Sequence, residues 1–140
     1  MPDYGRDLTF GIFPVPNAAD LETTFEAVRV ADENGLDLIG VQDHPYQRRY
    51  VDTFALLAAI ASRTSRVTIF SDVACLPLRD PAVLAKTSAT IDHLSGGRFE
   101  LGLGAGAFWD AIVAYGGQRR TPGQAISALS EAIDVIRLLW

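Results

Sequence analysis

The sequence contains a single cysteine, Cys75, in 140 residues. A lone cysteine cannot form an internal disulfide, and the Cys/His spacing of a four-ligand zinc site is missing, so we predict no metal site. Apolar runs stay well short of the roughly 18 residues that a transmembrane helix needs. Residues 1–7 also lack the apolar stretch of a signal peptide. These absences predict a cytoplasmic protein that does not associate with membranes.

Basic residues are few and scattered, with 12 Lys and Arg against 17 Asp and Glu and a formal net charge of -5. An acidic chain without a basic stripe is a poor candidate for binding nucleic acid or an anionic membrane surface. The hydrophobic fraction of 49% is close to that of an average soluble globular protein. We therefore expect one domain over residues 1–140.

Short β-rich runs alternate with helical segments along the whole chain. The predicted strands are residues 8–13, 38–42, 67–75 and 98–104, and the predicted helices are residues 21–34, 53–62, 81–94 and 122–140. Each helix start carries a capping residue, namely Asp20, Asp52, Asp80 before Pro81, and Thr121 in a T-P-G-Q capping box.

The last predicted helix has an apolar stripe at helical spacing. We expect Ile126, Leu129, Ile133, Ile136 and Trp140 to lie on one face. Residues 105–120 contain several glycines and are predicted to be irregular.

Four successive βα units imply an α/β fold with parallel strands covered by helices. A doubly wound open sheet is compatible with this length. A closed (β/α)8 TIM barrel needs about 250 residues, so these four units would form its N-terminal half. In either architecture the loops that leave the carboxyl ends of the strands share one face, where ligands bind.

Two segments at those strand ends carry polar or charged residues. Asp43 and His44 follow the second strand, and a histidine beside a carboxylate can act as an acid, a base or a hydrogen-bond donor. The structural alternative is that His44 only caps its strand. Ser71-Asp72-Val73 interrupts the third strand, where apolar residues would be expected, and this favours a ligand site. For Arg79 and Arg98 we expect pairing with helix-end carboxylates such as Asp80 or Asp92.

The fourth strand ends in a glycine pattern, Gly102-Leu103-Gly104-Ala105-Gly106-Ala107, that formally matches a dinucleotide-binding fingerprint. That fingerprint belongs on a first strand, opens a helix at once and needs an acidic residue about 20 residues later. A Rossmann-type nucleotide site is therefore the weaker interpretation. Bare glycine backbone that lets a flat ring approach the strand end is the better one.

Taken together, several motifs give the chain a family resemblance. They are Asp43-His44-Pro45, LAAIASRTSR (57–66), LRDPAVLAK (78–86), LSGGR (94–98), LGLGAG (101–106) and EAIDVIRLLW (131–140). In this order and spacing the chain resembles the luciferase-like monooxygenase family, whose members use FMN or the deazaflavin coenzyme F420.

The resemblance implies a TIM barrel that carries the cofactor ring on its C-terminal face. It implies a non-proline cis peptide at Ser71-Asp72 or Asp72-Val73, and it assigns His44 as proton donor or hydrogen-bond partner with Asp43 orienting it. The expected cofactor is FMN, with F420 as the alternative. The expected cofactor-binding residues are Phe13, Ser71, Asp72, Val73, Gly104, Ala105 and Gly106.

The sequence also departs from the family's sugar-phosphate dehydrogenases. Ala107 stands where those enzymes place an acidic glutamate, and Arg48 stands where they place a tryptophan. The departures argue against sugar-phosphate oxidation and leave monooxygenation or flavin-type reduction. Because much of the family's phosphate site comes from later strands, an alternative is an inactive half barrel that acts as a self-associating structural or binding module. For either case we expect a homo-oligomer, since a half barrel exposes strand edges and an apolar interior.

Overall fold

The computed structural model describes Gly5 and residues 7–140, in which short strands alternate with helices as the sequence predicts. The strands are β1 (Gly11–Ile12), β2 (Leu38–Val41), β3 (Thr68–Ser71), β4 (Ala74–Cys75), β5 (Phe99–Glu100) and β6 (Leu103–Gly104). The helices are α1 (Leu21–Glu33), α2 (Thr53–Ala61), α3 (Pro81–Ser95), α4 (Trp109–Ala114) and α5 (Pro122–Leu139), with a 3-10 turn at Leu76–Leu78.

All strand pairs in the described chain are parallel, and neighbouring strands follow sequence order. The main sheet has the order β1-β2-β3-β5, and β4 pairs with β6 in a second sheet of two strands. A doubly wound sheet would reverse its strand order at a switch point, whereas a barrel adds each strand beside the preceding one. The topology is that of a partial TIM barrel.

The third and fourth predicted strands are each divided into two pieces. The first division lies at the Asp72-Val73 peptide bond, which is cis and is one of the two bonds expected from the resemblance. Beyond it the chain resumes as β4, where Ala74 is paired with Leu103 and Cys75 with Gly104. The division therefore separates a strand that belongs to the main sheet from a short extension that ends at the carboxyl edge.

The four predicted helix starts are confirmed by the side-chain caps. Asp20, Asp52 and Asp80 each accept backbone N–H bonds from the first turn of α1, α2 and α3. Thr121 and Gln124 form the complete reciprocal capping box at the start of α5. Because a cap satisfies donors that a helix cannot satisfy itself, these local signals fix the helix boundaries.

One expectation for the C-terminal part of the chain is wrong. A short helix, α4, lies inside the predicted irregular segment, and its N-cap residue Phe108 makes no side-chain cap bond. α5 follows it as predicted and packs on α3. The buried positions of α5 are Ala125, Ala132 and Ile136, while Ile126 is 67% exposed.

The hydrophobic core lies between the sheet and the covering helices. Ile39, Val41 and Ile69 on one sheet face are fully buried against Leu57 and Ile60 of α2. On the opposite face, Phe13 and Phe70 lie beside Gly40, and Phe13 is 51% exposed. This open apolar face and the outer strands β1 and β5 match the geometry expected of half a barrel, while self-association itself stays a prediction.

The amino ends of the strands are held by two polar anchors. Asp32 of α1 accepts the backbone N–H groups of Ser65, Arg66 and Val67. Burial alone would raise the pKa of Asp32, but these N–H bonds outweigh it and lower the pKa. In the part of the chain that the structure describes, Arg98 pairs with no carboxylate and instead donates to main-chain carbonyls and one hydroxyl, which corrects the expectation. Its acceptors are Ser95 O, Val67 O, Ala61 O, Thr64 O and Thr64 Oγ1.

No helix in the described part of the chain is both long and apolar enough to cross a membrane.

Candidate active site

The loops after β2, β4 and β6 meet at the carboxyl ends of the strands. The backbone N–H of Cys75 in β4 donates to Asp43 Oδ2 at 2.8 Å, which ties the loop after β2 to β4. Cys75 is paired with Gly104 of β6. The His44 ring also meets the Phe108 ring edge-on, with their centroids 5.5 Å apart. The sequence prediction that these segments share one face is confirmed by these contacts.

Asp43 is buried, with 3% of its surface exposed, and is held by Arg79. Arg79 Nε donates to Asp43 Oδ2 at 2.9 Å and Arg79 Nη2 donates to Oδ1 at 2.6 Å, which is a bidentate pair. The guanidinium also donates to Asp52 Oδ2 at 2.7 Å and lies 4.7 Å from the centre of the Phe54 ring. Arg79 thus joins the loop after β2 to the start of α2.

These contacts correct two expectations. Arg79 pairs with Asp43 and Asp52 and not with Asp80, since the Asp80 carboxylate caps α3. Asp43 does not orient His44, because its carboxylate oxygens bind Arg79 and the N–H of Cys75.

The electrostatics of this cluster follow from burial and from the paired charges. Burial alone would lower the pKa of Arg79, but the hydrogen bonds and charges of Asp43 and Asp52 outweigh it and raise the pKa. For Asp52, burial is likewise outweighed by the N–H of Ala55 and by Arg79, so the pKa of Asp52 is lowered. Burial, then Asp43, raises the pKa of the Cys75 thiol to about 11. Cys75 therefore stays a neutral, buried thiol at physiological pH, as expected from the sequence.

His44 is half-buried and is bound through one ring nitrogen. Its Nδ1 lies 2.8 Å from the hydroxyl oxygen of Tyr46. In the described chain, Nε2 of His44 has no hydrogen-bond partner. The rings of Tyr46, Tyr50 and Phe108 surround the imidazole. One polar nitrogen of His44 is therefore free to bind a ligand.

Sequence reasoning missed Tyr46 as a member of this site. The signal that could have found it is its position two residues after His44 in the turn that follows the strand, where a tyrosine can reach back to the histidine ring.

The segment Ser71-Asp72-Val73 divides into a buried and an exposed part. Ser71 is fully buried, and its hydroxyl donates to the carbonyl of Gly102 at 2.9 Å. The Ser71 hydroxyl is therefore already hydrogen-bonded within the chain, so Ser71 would contact a ligand through its main chain. Asp72 is exposed, and Val73 is 43% exposed.

The glycines of the fourth strand are required by close packing. A Cβ on Gly104 would lie 2.5 Å from Val73 Cγ2, and one on Gly102 would lie 2.2 Å from the carbonyl oxygen of Ser71. At Gly106 the φ of +100° favours glycine, and a Cβ would also meet Pro77 at 2.7 Å. Ala105 between them is half-buried. α4 begins only at Trp109, so the pattern does not open a helix as a dinucleotide fingerprint would.

In the described chain, no group of three or more His, Cys, Asp or Glu side chains is placed to hold a metal ion.

Comparison with known proteins identifies relatives of this chain. The family model described as luciferase-like monooxygenase matches residues 8–140. F420-dependent glucose-6-phosphate dehydrogenase of Kribbella flavida is 39% identical over 120 residues, covering 81% of this chain and 36% of that protein. Among solved structures, an F420-dependent secondary alcohol dehydrogenase with an F420-acetone adduct is 26% identical with a TM-score of 0.83, covering 94% of this chain and 42% of that one.

A third similar protein binds a different cofactor. The oxygenating constituent of 3,6-diketocamphane monooxygenase from the CAM plasmid of Pseudomonas putida, solved with FMN, is 23% identical with a TM-score of 0.80. The match covers 96% of this chain and 40% of that protein. At 23% identity the similarity concerns the fold alone. The chain spans about a third of the length of the curated relatives it matches. Since the family model matches almost the whole sequence and the fold agrees, the chain belongs to the luciferase-like monooxygenase family.

Proposed function

We propose that this chain supplies the ring-binding face of a flavin or deazaflavin site in an oxidoreductase that acts on a small molecule. The observation that carries the proposal is the half-exposed side chain of Val73, packed against the bare backbone of Gly104 beside the loop that carries His44. In this proposal Val73 and Gly104 hold the apolar ring, and His44 binds a polar atom of the ring or of the substrate. The bound cofactor supplies hydride transfer.

The residues present fit such a ring. A flat apolar ring needs an accessible apolar side chain at the strand end, and Val73, which is 43% exposed and packs over Gly104, offers one. A hydrogen bond from a preorganised donor then sets the orientation of the ligand, and His44 has one ring nitrogen without a protein partner. The aromatic rings of Tyr50 and Phe108 pack beside the imidazole, with centroids 6.4 Å and 5.5 Å away.

Of the two ring cofactors, the relatives favour F420. The sequence alone favours FMN slightly, but the similar proteins above one quarter identity whose names state a cofactor use F420. We therefore propose F420-dependent oxidation or reduction of an alcohol or carbonyl compound. Ala107 and Arg48 continue to argue against a sugar phosphate as substrate.

A second candidate function is a self-associating module without activity. It is favoured by the exposed aromatic side chain of Phe13 beside Gly40 on the open sheet face. Contiguous exposed apolar surface of this kind marks association sites. A chain that self-associates and binds neither F420 nor FMN would have this function.

Two substitutions test the proposed contact from opposite sides. Gly104→Ala adds a methyl group that forces Val73 to move, and Val73→Ala removes the apolar side chain without adding bulk. We expect each to weaken F420 binding about tenfold, as measured by quenching of F420 fluorescence. Gly123→Ala is the matched control, because its Cβ would contact nothing within 4 Å. Unchanged binding in Gly104→Ala and Val73→Ala, with both folded by circular dichroism, would exclude this ring site.

A further inference from the structure

The hydrogen bond between Tyr46 and His44 determines which ring nitrogen of the histidine carries the proton. The hydroxyl oxygen of Tyr46 lies 2.8 Å from His44 Nδ1, and this is the hydrogen bond that both side chains make in the described chain. A neutral imidazole has one protonated and one bare nitrogen, so the bond can run in either direction. The surrounding residues decide between the two.

Chemistry favours Tyr46 as the donor. A phenol is a good donor and a weak acceptor, because its oxygen lone pair is delocalised into the ring, whereas a bare imidazole nitrogen is a strong acceptor. Tyr46 must keep its proton to donate it. Burial raises the pKa of Tyr46, and the nearby Cys75 and Asp43 raise it further, so the hydroxyl is protonated throughout the physiological range.

Among the described residues, Tyr46 is the hydrogen-bond partner of His44 Nδ1, and no carboxylate binds that nitrogen. The nearest carboxylate in sequence, Asp43, is committed to Arg79 and to the N–H of Cys75. Tyr50 and Phe108 meet the imidazole through their rings, with centroids 6.4 Å and 5.5 Å away. The groups packed around His44 therefore leave Tyr46 to set its protonation.

We propose that Tyr46 is a positioning residue that fixes His44 in the tautomer with a bare Nδ1 and a protonated Nε2. His44 then presents Nε2–H as a hydrogen-bond donor whose direction is set by the Tyr46 bond. The use of that donor toward a cofactor or a substrate oxygen rests on the proposed function. The tautomer does not, because it is a property of the chain without any ligand.

Nitrogen NMR of the histidine rings tests the tautomer directly. The chain has two histidines, His44 and His93, so a sample labelled with ¹⁵N-histidine gives two ring systems. Loss of one set of signals in His93→Gln assigns the other to His44. At a pH where both imidazoles are neutral, we expect a pyridine-like Nδ1 and a pyrrole-like Nε2 for His44 in the unmodified chain.

The variants separate this effect from a general structural one. In Tyr46→Phe, the ratio of the two His44 tautomers should move about fivefold toward Nδ1–H, the equilibrium effect of losing one net hydrogen bond. Tyr50→Phe removes the same hydroxyl from another ring neighbour that makes no bond to the imidazole, and should leave the ratio unchanged. Circular dichroism reports whether each variant is folded.

Two results would overturn the inference. One is a pyrrole-like Nδ1 in the unmodified chain, which would mean that His44 donates to Tyr46. The other is a tautomer ratio that is the same in folded Tyr46→Phe as in the unmodified chain. If Tyr46→Phe does not fold, the spectrum of the unmodified chain decides alone. Failure to bind F420 or FMN would count against the proposed function and would leave the measured tautomer standing.

Discussion

Replacing Arg79 by methionine is expected to lower the free energy of unfolding by about 3 kcal/mol. The substitution leaves the Asp43 carboxylate buried, with the N–H of Cys75 as its remaining hydrogen-bond partner. A buried charge that loses its partner typically costs about 3–5 kcal/mol, and we take the lower end because the Arg79 side chain is 20% exposed. Urea unfolding followed by circular dichroism measures the change.

The matched control is Arg29→Met. Arg29 also pairs with two carboxylates, Glu26 and Glu33, but all three side chains are exposed, so little stability should be lost. The double variant Asp43→Asn, Arg79→Met should lose less than the sum of its single substitutions, since it removes both charges together. Equal effects of Arg79→Met and Arg29→Met would contradict the role of burial in this pair.

The second large effect is expected for Gly102→Ala, which should cost about 3 kcal/mol or more, at or above the upper end for overpacked sites. The new Cβ would lie 2.2 Å from the carbonyl oxygen of Ser71, and main chain cannot rotate away as a side-chain end can. The Gly102 carbonyl also accepts the Ser71 hydroxyl and the N–H of Ala74. Moving the strand would therefore break the bonds that position Val73 and its neighbours.

Gly123→Ala serves again as the control, because it makes the same glycine-to-alanine replacement where the new Cβ meets nothing within 4 Å. It lies in α5 with open space around its Cβ, so alanine should leave stability unchanged or raise it slightly. The midpoints of urea unfolding of the two variants give the comparison. A Gly102→Ala protein as stable as Gly123→Ala would show that the strand contact at Ser71 is looser than described.

Local signals in the sequence were sufficient for the helix boundaries and for the order of the strands. Asp20, Asp52, Asp80 and Thr121 each cap a helix where predicted, because capping depends on residues within one turn of the cap. The alternation of strands and helices predicted parallel pairing, because a helix between two strands lets the second strand run in the same direction as the first. The glycine pattern at residues 102–106 was predicted to let a flat ring approach the strand end; the structure places groups of the chain itself close to these glycines, and the contact with a ring stays a prediction.

The parts that sequence reasoning missed depend on distant residues. Asp43 and Arg79 are 36 positions apart, and only the folded chain shows that their side chains meet. The partner of His44 is likewise not visible in the sequence, since Asp43 binds the distant Arg79 and the His44 ring bonds Tyr46. On α5, the apolar residues follow the helical period, but the sequence alone does not show which of them is buried, and Ile126 is exposed.

The central claim, a ring-binding face at Val73, Gly104 and His44, is tested most directly by titrating the purified chain with F420 and FMN in parallel at a measured oligomeric state. We expect saturable binding of F420, tighter than that of FMN, with one ring per site. Binding of neither ring to a folded sample would contradict a ring-binding face here and would favour the self-associating module. Tighter binding of FMN would keep the site and overturn the choice of cofactor.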